Sequence, residues 1–301
     1  MTTFEIKTPA KLNLRLKVTG RRPDGYHELV SIMVPVDLFD RLEMTTLPRS
    51  EIRLACDGFE VPEDATNLVY KAAQAFFSRT GFRGGISIRL FKNIPVAAGM
   101  GGGSSDAAAT LLSLNEIWER PLSISELQEM AVRLGADVPF FLYCRPSLAR
   151  GIGEILEPLE KWPKYWYVIV KPPIQVSTPW VYGRLKLRLT TDEYDCIEKV
   201  IKRRSFSILE ILENDLEEVT SASFPVIEAI KKDLVDGGAE GALMTGSGPT
   251  VFGLFNSLDQ ATAAKAYLIS QTRGDVFVAT NWEKGAPKTE QIRDHDGLSG
   301  I

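Results

Sequence analysis

The sequence predicts an α+β fold in two domains, and three observations lead there. At 301 residues the chain has the length of two ordinary domains. Its first forty residues read as strands, with apolar and polar residues partly alternating along FEIKTPAKLNLRLKV. Its second half mixes strands, a hairpin and helical stretches, the pattern of antiparallel strands with helices packed on one side.

In chain order, Leu12, Leu14 and Leu16 fall on one face of the first strand, with Lys11, Asn13 and Arg15 on the other. Taken alone, that polar set reads as a solvated strand face. Pro23-Asp24-Gly25 is a strong turn signal before the apolar run LVSIMVPVDLFDRLEM, and Tyr26 and His27 read as a half-buried pair after the turn. ATNLVYKAAQAFF predicts a helix capped near Thr66, with Leu68, Ala72, Ala75 and Phe76 on one stripe. ISIRLFKNIPVAAG is a strand that runs into PVAAGMGGGSSDAAA, and DAAATLLSLNEIWE then continues as a helix. The next helix, SISELQEMAVRL, carries a capping box at Ser123 and Glu126 and stops at Gly135. Asp137 follows among apolar neighbours. It is either a cap for the next turn, which Pro139 would suit, or a charge held for chemistry; local sequence leaves both open.

LARGIGEILEPL reads as a hairpin-like connector, which puts the division between domains near 150–165: one domain over 1–160 and a second over 161–285. The second half then runs strand and helix (WYVIVKPPIQVSTPWVYGRL), helices through FSILEILENDLEEVTS and FPVIEAIKKDLVDGG, a hairpin ALMTGSGPTVFGLF, a helix DQATAAKAYLISQ and a strand DVFVATNW. Residues 286–301 are polar and read as a loose tail.

Composition narrows the chemistry. The chain is 44% hydrophobic and 25% charged, as soluble globular proteins are, and its net charge of -4 argues against a nucleic-acid partner. No apolar run approaches a membrane span and the N-terminus lacks a signal-peptide core, so a cytoplasmic protein is expected. Cys56, Cys144 and Cys196 lie far apart and read as incidental thiols of a reducing compartment. With two histidines, His27 and His295, a protein-built metal site is not expected.

The stretch from Pro95 to Ala109 is where a ligand is expected. Gly99, Gly101, Gly102 and Gly103 let a ligand approach the main chain. The helix start behind them offers unpaired N–H groups and the positive end of a dipole, a seat for phosphate. Known phosphate loops fail one by one. There is no Gly-Lys dipeptide for a Walker loop, G-x-G-x-x from Gly99 ends on Ser104, and no His-Arg-Asp or Asp-Phe-Gly occurs.

What remains resembles the GHMP family of small-molecule kinases, whose middle motif reads roughly P-x-x-x-G-L-G-S/G-S-S/G-A, with Met100 here where Leu is usual. PAKLNLRLKVTGRRPDGYHEL resembles the opening motif of one branch of that family. That branch phosphorylates the 2-hydroxyl of a cytidine diphosphate sugar alcohol on the non-mevalonate route to isoprenoids. The likeness runs along nearly the whole chain. It implies an N-terminal ribosomal-S5-like domain and a C-terminal ferredoxin-like α/β sandwich, with the active site in the cleft between them.

Carried over residue by residue, the resemblance makes Asp137 the catalytic base and Lys11 its electrostatic partner. Pro95, Val96, Ala97, Ala98, Gly99, Met100, Gly101, Gly102, Gly103, Ser104 and Ser105 would cradle the phosphates of ATP, the co-substrate, with Mg²⁺ carried on those phosphates. Asn67 and Lys92 would lie near the adenine. Tyr26 and Tyr182 would stack on cytosine while His27 reads its edge, and Asn13 and Thr178 would touch the diphosphate or the sugar alcohol. Gly246 and Ser247 belong to a third glycine loop, GSGPT, set against the phosphate region, and Thr245 keeps the hydroxyl of the usual motif. The expected partners are small molecules, with no nucleic acid and no membrane, on a monomer or weak homodimer.

Overall fold

The N-terminal alternation resolves into two long strands, β1 (Thr3–Arg21) and β2 (His27–Leu47), paired antiparallel along most of their length. They are seen in a computed structural model that describes residues 2–186, 193–201, 203, 207–271 and 273–292. Register shifts interrupt the pair at Pro9/Ala10, Asn13/Arg15 and Val18/Gly20, and such bulges re-aim neighbouring side chains. Next come β3 (Ile52–Gly58), helix α1 (Leu68–Thr80) and β4 (Gly85–Lys92). Helices α2 (Gly102–Ile117), α3 (Ile124–Leu134) and α4 (Val138–Tyr143) follow, then the hairpin β5 (Ser147–Arg150) and β6 (Ile155–Pro158).

The second half opens with β7 (Trp166–Lys171), α5 (Thr178–Tyr182) and α6 (Glu193–Ile201). The short β8 (Glu213–Asn214) leads into α7 (Asp215–Ser223) and α8 (Val226–Asp236). A hairpin of β9 (Ala242–Met244) and β10 (Val251–Phe255), helix α9 (Leu258–Ser270), β11 (Asp275–Thr280) and β12 (Glu290–Ile292) complete the described chain.

The strands form two sheets. The first runs β12-β1-β2-β4-β3, with β5 and then β6 continuing from β2, and β8 added parallel to β1. The second is antiparallel, β11-β7-β10-β9. One core lies between the first sheet and helices α1 to α4, around Phe76, Ile88, Leu111 and Phe140. A second gathers Leu12, Leu14 and Ile32 against Ile169 and Phe252, so the leucine face of β1 packs on the second sheet. A third joins that sheet to α8 and α9 through Val168, Val170, Ile230 and Leu268. Each large apolar side chain buried in these cores contributes about 1.5–3 kcal/mol.

Several expectations need correction. Helix α1 is capped by Asn67 rather than Thr66, because the Asn67 side chain accepts from Val69 N at 2.9 Å. Its buried stripe is Val69, Ala72, Ala73 and Phe76; Ala72 and Phe76 are as expected, while Leu68 and Ala75 are only half-buried. FSILEILENDLEEVTS is not one helix: a 3₁₀ turn at Ile208–Glu210 and strand β8 precede α7, whose start is set by Asn214 capping Leu216 N. The tail is not wholly loose. Glu290–Ile292 pair with β1, and Thr289 Oγ1 donates to Ser113 Oγ at 3.0 Å; residues 293–301 lie outside the described chain. Neither β3 nor α6 was foreseen, as β3 is a largely exposed edge strand and α6 buries only Ile197. The capping box of α3, its Gly135 stop and both hairpins form as expected. No helix among the described residues is long and apolar enough to cross a membrane.

Candidate active site

The polar face of β1 is buried, not solvated. Lys11 and Asn13 are each 3% exposed, and a charge so placed requires partners. Lys11 Nζ donates to Asn13 Oδ1 and lies 3.4 Å from Asp137 Oδ2. Asn13 in turn donates through Nδ2 to Ser31 Oγ (2.9 Å), and its backbone N–H donates to Thr245 Oγ1 (2.9 Å). Asp137 sits at the N-cap position of α4 yet makes no capping hydrogen bond, and Pro139 falls within the first turn. Its carboxylate turns to the Lys11 ammonium instead. Of the two readings local sequence left open, the charge held for chemistry is the one this geometry favours.

Beside this pair lies the glycine loop. Lys11 N donates to Met100 O (2.9 Å), which fastens the loop to β1. Helix α2 begins at Gly102 with no side chain capping its first N–H groups, so main-chain donors remain free at its mouth. Two glycines are required by space. A Cβ on Gly99 would stand 2.4 Å from Thr245 O, and one on Gly101 would stand 3.0 Å from the Phe141 ring and 3.1 Å from Lys11; both have left-handed φ. The third glycine loop therefore rests directly on the first. Asn214 holds it there, its Nδ2 donating to Met244 O (2.7 Å) and Gly246 O (2.8 Å). Ser247 Oγ meets Thr178 Oγ1 at 2.7 Å.

A cleft of about 560 Å³ opens over these groups, with Asn13, Gly99, Gly101, Ser104, Gly246, Ser247 and Thr178 on its walls. Tyr26, His27 and Tyr182 line it as well. His27 and Tyr182 stack with centroids 4.9 Å apart and planes at 31°. Tyr26 is 59% exposed and touches no other ring among the described residues. Burial, and then the neighbouring Arg21 guanidinium, hold the His27 imidazole below its usual value, toward the neutral form. Burial, with Asp137 nearby, keeps the Tyr182 phenol protonated.

Comparison with known proteins decides what this arrangement belongs to. The family model of the GHMP kinases N terminal domain matches residues 67–145, and that of the GHMP kinases C terminal matches 197–273. The 4-diphosphocytidyl-2-C-methyl-D-erythritol kinase of Syntrophotalea carbinolica is 48% identical over 272 residues, 89% of this chain and 95% of that one. The chain belongs to the GHMP kinase family. The enzyme of the same name from Geobacter metallireducens is 49% identical over 266 residues, covering 88% of this chain and 93% of its own. A crystal structure of 4-(cytidine 5'-diphospho)-2C-methyl-D-erythritol kinase, 35% identical, superposes with a TM-score of 0.78 over 93% of this chain and 100% of that one. Homoserine kinase from Cytophaga hutchinsonii has the same fold (TM-score 0.75) at 20% identity, over 96% of this chain and 97% of its own.

Within this GHMP kinase, not every expected residue faces the ligand space. Ser104 lines the cleft, but Ser105 is fully buried in α2 with its hydroxyl unpartnered, so it is not a free donor at the mouth. Lys92 is a structural cation. It lies beneath the loop, where a Cβ on Gly102 would come within 3.1 Å of Nζ, and pairs with Asp106 at 2.8 Å and with Asp40. Its backbone does border a second hollow under the 56–63 loop, since Phe59 N donates to Lys92 O (3.1 Å). Asn67 spends its side chain on Val69 N and Pro62 O (2.7 Å), shaping the rim of that hollow. Val96, Ala97 and Gly103 of the glycine loop are exposed, whereas Pro95, Ala98 and Met100 are buried.

Sequence reasoning missed the residues beneath and behind the site. Asp40 accepts from Asn93 N (2.6 Å), Ile94 N (2.7 Å) and Lys92, and Asp106 accepts from Thr8 Oγ1 (2.7 Å). Asn214 carried a visible helix-cap signal, but nothing in its neighbourhood pointed to a loop 30 residues downstream.

Proposed function

We propose that this kinase transfers the γ-phosphoryl group of ATP to the 2-hydroxyl of 4-diphosphocytidyl-2-C-methyl-D-erythritol, giving the 2-phosphate and ADP. The observation that carries the reading is the Lys11–Asp137 pair, 3.4 Å apart in a cleft that also holds the mouth of α2 and the Tyr26, His27 and Tyr182 cluster. Phosphoryl transfer asks for in-line alignment and for positive charge where the transition state gathers negative charge. The amides of α2 and the glycine loop seat the ATP phosphates. Asp137 orients the acceptor hydroxyl and accepts its proton. The Lys11 ammonium faces both that carboxylate and the transferring group.

Mg²⁺ would enter on the phosphates of ATP: among the described residues Asp137 is the single carboxylate on the cleft wall, and no cluster of acids that could hold a metal ion occurs among them. Adenine is assigned to the hollow lined by residues 56–63, whose rim Asn67 shapes through its bond to Pro62 O. Tyr26 and Tyr182 on the cleft wall offer the faces on which cytosine stacks, and the neutral His27 imidazole reads its edge. The names carried by relatives at 48–49% identity support the same substrate.

The test is an ADP-release assay with diphosphocytidyl-methylerythritol, mevalonate and homoserine offered in parallel. Turnover confined to the first is expected; turnover of either other alcohol at a comparable kcat/KM would overturn the assignment.

A further inference from the structure

The cleft has an unmatched cation that the reading above does not use. Among the described residues, Lys11 and Arg21 are the two Lys or Arg residues on its walls, and Asp137 is the one Asp or Glu. Lys11 is committed to Asp137 and Asn13. Arg21 is not committed to anything: among the described residues its guanidinium has no acidic partner and no hydrogen-bond acceptor. Its neighbour Arg22 makes the contrast plain, because Asp24 (3.1 Å) and Glu28 (3.5 Å) both meet that charge. Two adjacent arginines thus differ in kind, one neutralised by the fold and one left facing the cleft.

Position says what Arg21 faces. It is the last residue of β1 and sits directly across the antiparallel ladder from His27, the first residue of β2. Tyr26 is the residue before His27, so Arg21 shares the wall of the cleft with the aromatic cluster. On the reading above, on which this inference rests, the base binds at that cluster and the reacting hydroxyl lies at Asp137. The diphosphate that joins them in the substrate must cross the stretch between, and it carries negative charge there. A planar guanidinium with five donors is the side chain best shaped to meet phosphate oxygens in pairs.

We propose that Arg21 grips the diphosphate of the acceptor substrate and so selects a nucleoside diphosphate conjugate over an uncharged cytidine conjugate. A charge-assisted contact of this kind at an open cleft corresponds to about a tenfold change in binding. Its exposure to solvent makes it sensitive to salt.

The test compares the wild-type chain with Arg21→Gln, Arg21→Lys and Arg22→Gln. Arg21→Gln is expected to raise KM for diphosphocytidyl-methylerythritol about tenfold, with kcat and the KM for ATP within about twofold. In calorimetry the same variant should weaken CDP by that factor and leave cytidine unchanged. Arg21→Lys should recover part of the loss, Arg22→Gln should behave as wild type, and added salt should weaken CDP more in the wild type than in Arg21→Gln. Equal CDP affinity in wild type and Arg21→Gln, or equal weakening of CDP and cytidine, overturns the assignment. The proposed function fails separately. A wild-type chain that binds CDP but phosphorylates no diphosphocytidyl substrate sinks that reading, while the CDP-against-cytidine comparison still decides the role of Arg21. A wild-type chain that binds neither sinks both.

Discussion

At the scale of single residues, the site depends on groups whose partners are few and identifiable. Asp137 has the Lys11 ammonium beside it and no cap to make, so its carboxylate is available to a hydroxyl. Asp137→Asn or Lys11→Ala is expected to cut kcat about 10²–10⁴-fold, with a circular dichroism spectrum like that of the wild type. Near-normal turnover in either variant would take that residue out of the mechanism. His27 supplies a second prediction. Burial and then Arg21 depress its pKa, so the imidazole is neutral above that depressed value and takes up a proton only below it. A proton resonance titration should therefore place its midpoint below the ordinary 6.5. KM for the cytidyl substrate should rise as pH falls through that midpoint, while KM for ATP follows a different curve. A midpoint at or above 6.5 would contradict the reading of a neutral imidazole.

At the scale of elements, the phosphate loop stands on a buried joint. Thr8 of β1, Asp40 of β2, Lys92 at the end of β4 and Asp106 of α2 meet at one point beneath Gly102. Burial first, and then Asp106, push the Asp40 carboxyl up to about 7. The Lys92 ammonium is held above its usual range because Asp106 and Asp40 outweigh the burial that would lower it. Removing one partner from such a cluster leaves uncompensated charge and is expected to cost about 3–5 kcal/mol. Lys92→Met should show that loss in urea unfolding at pH 8. A carboxyl raised in the fold keeps its proton at pH values where the unfolded chain has lost it. The stability this contributes is complete below the ordinary 3.8 and is lost as pH rises through about 7. The deficit of Lys92→Met should therefore shrink as pH is lowered from 8 toward 6. A deficit independent of pH would mean that Asp40 is not the group relieved.

At the scale of the whole molecule, β1 joins the two halves with both of its faces. Its leucines pack on the second sheet, and its outer end is clasped from the C-terminal half. Arg15 Nε donates to Glu193 Oε1 of α6 (2.7 Å) and its guanidinium also pairs with Glu213 of β8 (2.8 Å). Lys17 pairs with Glu213 (2.6 Å) and Asp215 (2.8 Å). Arg15 and Glu193 are both largely buried, so breaking this pair removes more than a surface contact. Arg15→Met is expected to cost about 3 kcal/mol in thermal unfolding, and adding Glu193→Gln should return part of it. Additive losses in the double variant would show that the two groups do not act as a pair.

The sequence by itself determined the local grammar of this protein. The alternation of β1, the Ser123 capping box, the glycine run, the two hairpins and the family signature were all legible, since each is written in residues within a few positions of one another. Tertiary structure alone decided which polar residues are tools and which are supports. Nothing near Lys92 foretold that Asp40 and Asp106, from other elements, would claim it, nor did local pattern bury Lys11 and Asn13. The closing strand β12 was hidden for the same reason, because its edge pairing is with a segment almost the full chain length away. Periodicity reports how a segment meets water on average. Whether a given charge meets water, a carboxylate or a ligand depends on chain segments that only the fold brings together.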